Sequence, residues 1–202
     1  MDETTVVNSR TSLDNDTYAE MITSSKVYQS HLSAHKNFNL STLIQENLKP
    51  NLTGYTLSGD DKINFRSHGL FFIDDRFLTD YEDIESLKEE DNNYSVTFFH
   101  LGSNLSGHEG IVHGGLLATL LDELTCRLAF QNFHSKKGVT ANLNINYRKP
   151  CFVNSKVMIK CEVIKKLGRK CWIKGSVYNM ETDDLLTDCE CLVIEPRWVK
   201  DL

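Results

Sequence analysis

The sequence predicts an α+β fold, with one long helix packed on an antiparallel β-sheet. Three observations carry that expectation. Residues 116–131 place leucines on one helical stripe, residues 139–149 alternate strictly between apolar and polar, and the later strand segments are joined by short links. Short links imply antiparallel neighbours, because a parallel pair needs a long crossover.

The N-terminal elements carry less signal. Residues 1–25 are polar and without periodicity, which predicts a mobile arm. Between 26 and 49 the pattern is weakly amphipathic, and STLIQENL (41–48) is the better helix candidate. Pro50, Gly54 and Gly59 then mark a loop. The expected division is an arm over 1–60, partly disordered with short helices, and a folded domain over 61–202. Within that domain, 63–73 reads as extended, 81–91 as a short exposed helix and 94–102 as a strand.

The second half is clearer. On the helix, Leu117, Leu120, Leu121, Leu124 and Leu128 form the apolar stripe, while Ala118, Asp122, Cys126 and Ala129 form a face of mostly small residues. In VTANLNINYRK, Val139, Ala141, Leu143, Ile145 and Tyr147 point one way. Thr140, Asn142, Asn144, Asn146 and Arg148 point the other. Strands follow at about 156–166, 170–179 and 185–195, with turns at Gly168 and at the Asn/Asp-rich NMETDD.

Composition excludes several functions. The chain has 202 residues, 40% hydrophobic and 25% charged, which suits one globular domain with a tail. Its net charge of −6 (22 basic against 28 acidic residues) argues against sequence-independent nucleic-acid binding, which draws on basic stripes. Six cysteines lack any CxxC pair and read as reduced core thiols. His108, Glu109 and His113 miss the HExxH spacing, since the histidines are five apart, so no metal is expected. No apolar run reaches the ~18–20 residues of a membrane span. The N-terminus carries neither signal peptide nor Arg-rich presequence, which predicts a cytoplasmic protein.

The chemistry concentrates in SGHEGIVHGGLLATLLDELTCR (106–127). Glycines at a helix entrance let a ligand approach the first-turn N–H groups, which have no internal acceptor and lie at the positive end of the helix dipole. Asp122 follows two turns later on the close-packed side, where a carboxylate needs partners or a purpose. Arg148 and Lys149 at a strand end, and Arg169 and Lys170 at a hairpin tip, are candidate phosphate contacts.

These residues carry a resemblance. GIVHGGLLATLLDE, then VTANLNINYRKP, then LGRK resembles, in order, the hotdog-fold acyl-CoA thioesterases. The stretch is similar to thioesterase superfamily members four and five with their fungal relatives, and the phenylacetate-pathway (PaaI-like) enzymes share the HGG and the acid. The resemblance spans about 94–197. It implies a hotdog fold, a long central helix wrapped by an antiparallel sheet, with sites between the protomers of a homodimer or dimer of dimers.

It further implies that Asp122 is the catalytic carboxylate, acting as base or nucleophile. The amides around Gly114 and Gly115 would stabilise the oxyanion, and His113 would orient the turn or contact substrate. Thr140 would position the water, and Asn146, Arg148, Arg169 and Lys170, with Lys149 beside them, would bind the ligand. No cofactor is implied beyond the CoA thioester itself, and mitochondrial relatives make that compartment the alternative. Two other functions stay open: an acyl-CoA binder without turnover, and a hotdog hydratase or dehydratase.

Overall fold

The computed structural model describes residues 15–33, 52–73 and 93–198. The helix candidates at 41–48 and 81–91 lie outside them. In chain order the elements are α1 (Asn15–Thr23), α2 (Lys26–Ser33), a single π-turn (Leu52–Thr56), β1 (Ile63–Arg66), β2 (Leu70–Phe72) and β3 (Tyr94–Leu101). There follow β4 (Ser106–His108), β5 (Ile111–Val112), α3 (Gly114–Gln131), β6 (Val139–Tyr147), β7 (Ser155–Leu167), β8 (Lys170–Asn179) and β9 (Leu185–Ile194).

One antiparallel sheet runs β1–β3–β7–β8–β9–β6, with β2 pairing β3 beyond β1, and β4 and β5 form a separate small hairpin. The sheet wraps α3, which touches β6, β7, β8 and β9. The predicted helix and four C-terminal strands are all present, and α3 begins two residues earlier than expected because His113 caps it.

The packing follows from the sequence patterns. All five stripe leucines of α3 are buried, and they meet the inward side chains Val157, Ile159, Cys161 and Val163 of β7 and Cys171, Ile173 and Val177 of β8. Gly175 on β8 admits the helix, since a Cβ there would lie 2.8 Å from Leu121 Cδ2 and 3.2 Å from Thr125 Cγ2. Five of the six cysteines are buried and all six are free, as small core residues would be.

The sheet's outer face has its own cluster. Leu70, Phe72, Val96, Phe98 and Met158 pack there with Ile22 of α1. Residues 15–25 are thus a correction to the predicted mobile arm: Asn15–Thr23 is helical, Ile22 is fully buried, and Tyr18 stacks on His100 with centroids 3.8 Å apart. A single apolar anchor holds that helix, too little to register as periodicity. The predicted extended stretch 63–73 divides into β1 and β2, which pair with opposite ends of β3.

The strand β6 carries the second correction. Thr140 pairs with Val193 and Asn142 with Leu192, so β6 spends two residues where β9 spends one. This bulge shifts the alternation by one. Thr140 therefore faces α3, as Leu143, Ile145 and Tyr147 do, and does not share a face with Asn146 and Arg148.

Candidate active site

His113 ends the β5 segment and caps α3, its Nδ1 accepting the Gly115 N–H at 2.8 Å. That cap uses one of the two candidate oxyanion donors. The Gly114 N–H has no acceptor within the helix and none among the other described residues. Gly114 is fenced by Tyr147, whose hydroxyl donates to the Gly114 carbonyl at 2.9 Å. A Cβ on Gly114 would sit 3.2 Å from the Tyr147 ring, so glycine is what permits this approach. These residues open on a cleft of about 460 Å³, with Val112, Leu117 and Cys151 on its apolar side and Arg148 and Lys149 at its rim.

Asp122 is half-buried on the side of α3 that meets β6. Its Oδ1 accepts the Thr140 hydroxyl at 2.6 Å, and it makes no ion pair among the described residues. Thr140 in turn lies 3.0 Å from Cys126 Sγ. Burial pushes the Cys126 thiol up to about 12. Cys126 therefore stays protonated, acts as the donor in that pair and is no nucleophile near neutral pH. The resulting chain runs from thiol to hydroxyl to carboxylate, and Asp122 Oδ2 accepts no hydrogen bond from the other described residues.

Glu123, the neighbouring acid, is occupied otherwise. It pairs with Arg66 at 2.9 Å, with Arg127 one turn on, and with the Thr53 hydroxyl. Burial raises its pKa, but the two guanidinium groups outweigh that and hold its carboxyl below the usual range. Burial and Arg66 push Arg127 down to about 10. This cluster fastens β1 and the π-turn to the helix, a structural task that leaves Asp122 as the available acid of α3.

The predicted residues do not all converge within one chain. Asp122 and Gly115 are seven residues apart, about 10 Å along the axis at 1.5 Å per residue. The cleft reaches Gly114 and Leu117 but not Asp122 or Thr140. The basic pairs lie at opposite ends of β9. Arg148 bonds to Leu186 and Lys170 pairs with Ile194, eight residues or about 26 Å away. Asn146 and Arg148 both bond Asp188, and Lys149 bonds Asp184. Arg169 donates to the Glu195 carbonyl, and Lys170 is exposed beside it. Two neighbours of the site, Tyr147 and Cys126, lie where the sequence pattern put ordinary packing residues. Cys126 follows Asp122 by one helical turn, the only hint available.

His108 is exposed on β4, and no group of metal-ligating side chains occurs among the described residues. No described helix is long and apolar enough to cross a membrane.

The chain is similar to known proteins in sequence. The family model of the Thioesterase superfamily matches residues 109–182. An uncharacterized mitochondrial protein of Candida albicans is 33% identical over 159 residues, 76% of this chain and 70% of that protein. The mouse acyl-coenzyme A thioesterase THEM4 is 34% identical over 101 residues, 50% of this chain and 43% of its own length. This chain thus spans less than half of the mouse protein. Among solved structures, a hypothetical thioesterase protein of Streptococcus pneumoniae with coenzyme A aligns at a TM-score of 0.46 and 22% identity, over 50% of this chain and 77% of that one. With the sheet-wrapped helix, the HGG entrance and the family match all in register, the chain belongs to the thioesterase superfamily and has its hotdog fold.

Proposed function

We propose that this protein hydrolyses acyl-CoA to free acid and CoA, with no metal or redox cofactor, in a homodimer. The carrying observation is Asp122: a carboxylate inside the central helix, bonded by Thr140 and paired with no cation among the described residues. In this reading the thioester carbonyl lies against the Gly114 N–H, which stabilises the developing oxyanion by an amount of order ~3 kcal/mol. Asp122 takes the proton of an attacking water, or attacks the carbonyl carbon itself. The C–S bond then breaks and the thiolate of CoA leaves, gaining a proton. Direct attack gives a mixed anhydride that water then hydrolyses, freeing the acid and restoring the carboxylate.

Two halves some 10 Å apart on one helix cannot meet one carbonyl, and β6 supplies the remedy. It is the last strand of the sheet, nine residues long and almost wholly exposed, with its outer backbone edge free of the sheet's own strands. A long unprotected edge is a template for pairing. The helix α3 runs antiparallel to it, with Gly114 beside Tyr147 and Asp122 near Thr140. Two-fold antiparallel pairing of β6 with a second copy therefore brings the acid of one chain towards the helix entrance of the other. It also moves Arg169 and Lys170 of one copy towards the Arg148 end of the other. The carboxylates already holding Arg148 and Lys149 form exposed ion pairs worth little, and a phosphate can displace them.

Medium to long fatty acyl chains are the proposed substrates, on the strength of the apolar side of the cleft. The mitochondrial name of the Candida protein supports that compartment. A lone protomer would bind the ester without turnover, which is what the binding-protein reading predicts. The test is thiol release from a panel of acyl-CoAs, with calorimetry and light scattering alongside. Turnover by a dimer, lost in Asp122→Ala, is expected. Binding without thiol release from any ester, or hydrolysis unchanged in Asp122→Ala, rejects the proposal.

A further inference from the structure

We propose that Tyr147 is a positioning residue that fixes His113 as a neutral hydrogen-bond donor facing the cleft. The Gly114 carbonyl and the Gly115 N–H are the two ends of a single planar amide. The Tyr147 hydroxyl donates to the oxygen at 2.9 Å, and the nitrogen donates to His113 Nδ1 at 2.8 Å. A donor on the oxygen polarises the amide and strengthens the bond its N–H makes, so the two contacts support each other.

The consequence falls on the imidazole. A backbone N–H can only donate, so Nδ1 must be the bare nitrogen and the ring proton resides on Nε2. His113 and Tyr147 both line the cleft, beside the unengaged amide of Gly114. Gly107 makes room for the ring, since a Cβ there would lie 2.8 Å from His113 Cδ2. The Nε2–H is therefore a second neutral donor for a carbonyl oxygen bound in the cleft, next to Gly114. The same arrangement removes His113 as a general base: taking a proton at Nε2 requires a ring protonated at Nδ1, which breaks the cap. Hydration chemistry with a histidine base is thus disfavoured here, while oxyanion stabilisation is served.

The kinetic part of this inference rests on the thioesterase reading, and the spectroscopic part does not. Long-range proton–nitrogen NMR of the full chain reports which ring nitrogen of His113 is protonated, with His113→Gln for assignment. The wild type should show the Nε2–H form alone. Tyr147→Phe, which keeps the ring and loses the hydroxyl, should give mixed tautomers and a displaced Gly115 amide signal. Its kcat should fall roughly two- to tenfold, the scale of one neutral hydrogen bond, with KM within about twofold. Melting temperature and dimer mass of the variant separate this from unfolding or loss of pairing. A wild-type ring protonated on Nδ1, or His113 and Gly115 signals unmoved in Tyr147→Phe, overturns the proposal. Absence of any hydrolysis by the wild type removes the enzyme reading and leaves the NMR result to decide this one.

Discussion

Acidification should unfasten the N-terminal helix through His100. The imidazole is 4% exposed, with Nδ1 2.9 Å from Asn64 Nδ2 and its face against Tyr18 of α1. Burial first, and then nearby Lys156, push it down to about 4, against a backbone hydrogen bond with Asn154 that favours the charged ring. In the unfolded chain it titrates near 6.5. The folded value is the lower one, so the unfolded chain takes up a proton that the folded chain refuses. The stability is complete above pH 6.5 and is lost as the pH falls towards 4. The full gap is roughly 2.5 pH units, and at ~1.4 kcal/mol per unit it amounts to about 3 kcal/mol. About 2 kcal/mol of that is lost by pH 5.

The assay is urea unfolding followed by circular dichroism at pH 7 and pH 5, in wild type and His100→Gln. Other carboxylates and histidines titrate in both proteins, so the difference between their pH dependences isolates this ring. The wild type should lose about 2 kcal/mol more than the variant on going to pH 5. Equal losses would show that the ring accepts its proton in place, and the assignment of a buried neutral imidazole under α1 would be wrong.

Thr140→Val should cut acyl-CoA turnover by roughly tenfold at unchanged melting temperature, because it removes the hydrogen bond that Thr140 donates to Asp122 Oδ1; steady-state kinetics on the panel's best substrate checks it. Glu123→Gln should cost about 3 kcal/mol in urea unfolding, since it leaves Arg66 and Arg127 as buried cations without their carboxylate. Cys126, pushed up to about 12, should react with iodoacetamide at pH 7.5 on the order of a thousandfold more slowly than an unhindered thiol, as peptide mass spectrometry will report.

The elements legible in the sequence were those with a long period. The stripe from Leu117 to Leu128 and the alternation after 139 each repeat enough to fix an element and the face it buries. By contrast, α1 buries a single side chain, Ile22, and β2 is three residues long, so neither presents a period to detect. The acid, the glycines and Thr140 could be named because their spacing resembles a family, yet their arrangement could not. A bulge leaves no mark in a run such as TANLN, where either parity looks regular, and it reverses the face of Thr140. Whether an amide is free is equally hidden: Gly115 looks like a donor until the His113 ring closes on it. The distance between the two basic pairs depends on the length of β9 and the pairing around it, which no local pattern records.

The N-terminal helices also bear on how far assembly can proceed. They cap the back of the sheet over β3 and β7 with Ile22 packed on Phe98 and Met158, so that oily ground is already taken within one chain. What β6 and β9 offer on the same back surface is a row of carboxamides and acids, Asn142, Asn144, Asn146, Asp188 and Glu190. A second layer stacking there would meet firmly hydrated groups and like charges, giving a weak union that salt and pH readily alter. Edge pairing, by contrast, joins backbones and is indifferent to both. A dimer of dimers assembled through that surface should come apart on dilution before the β6 pairing proposed above does.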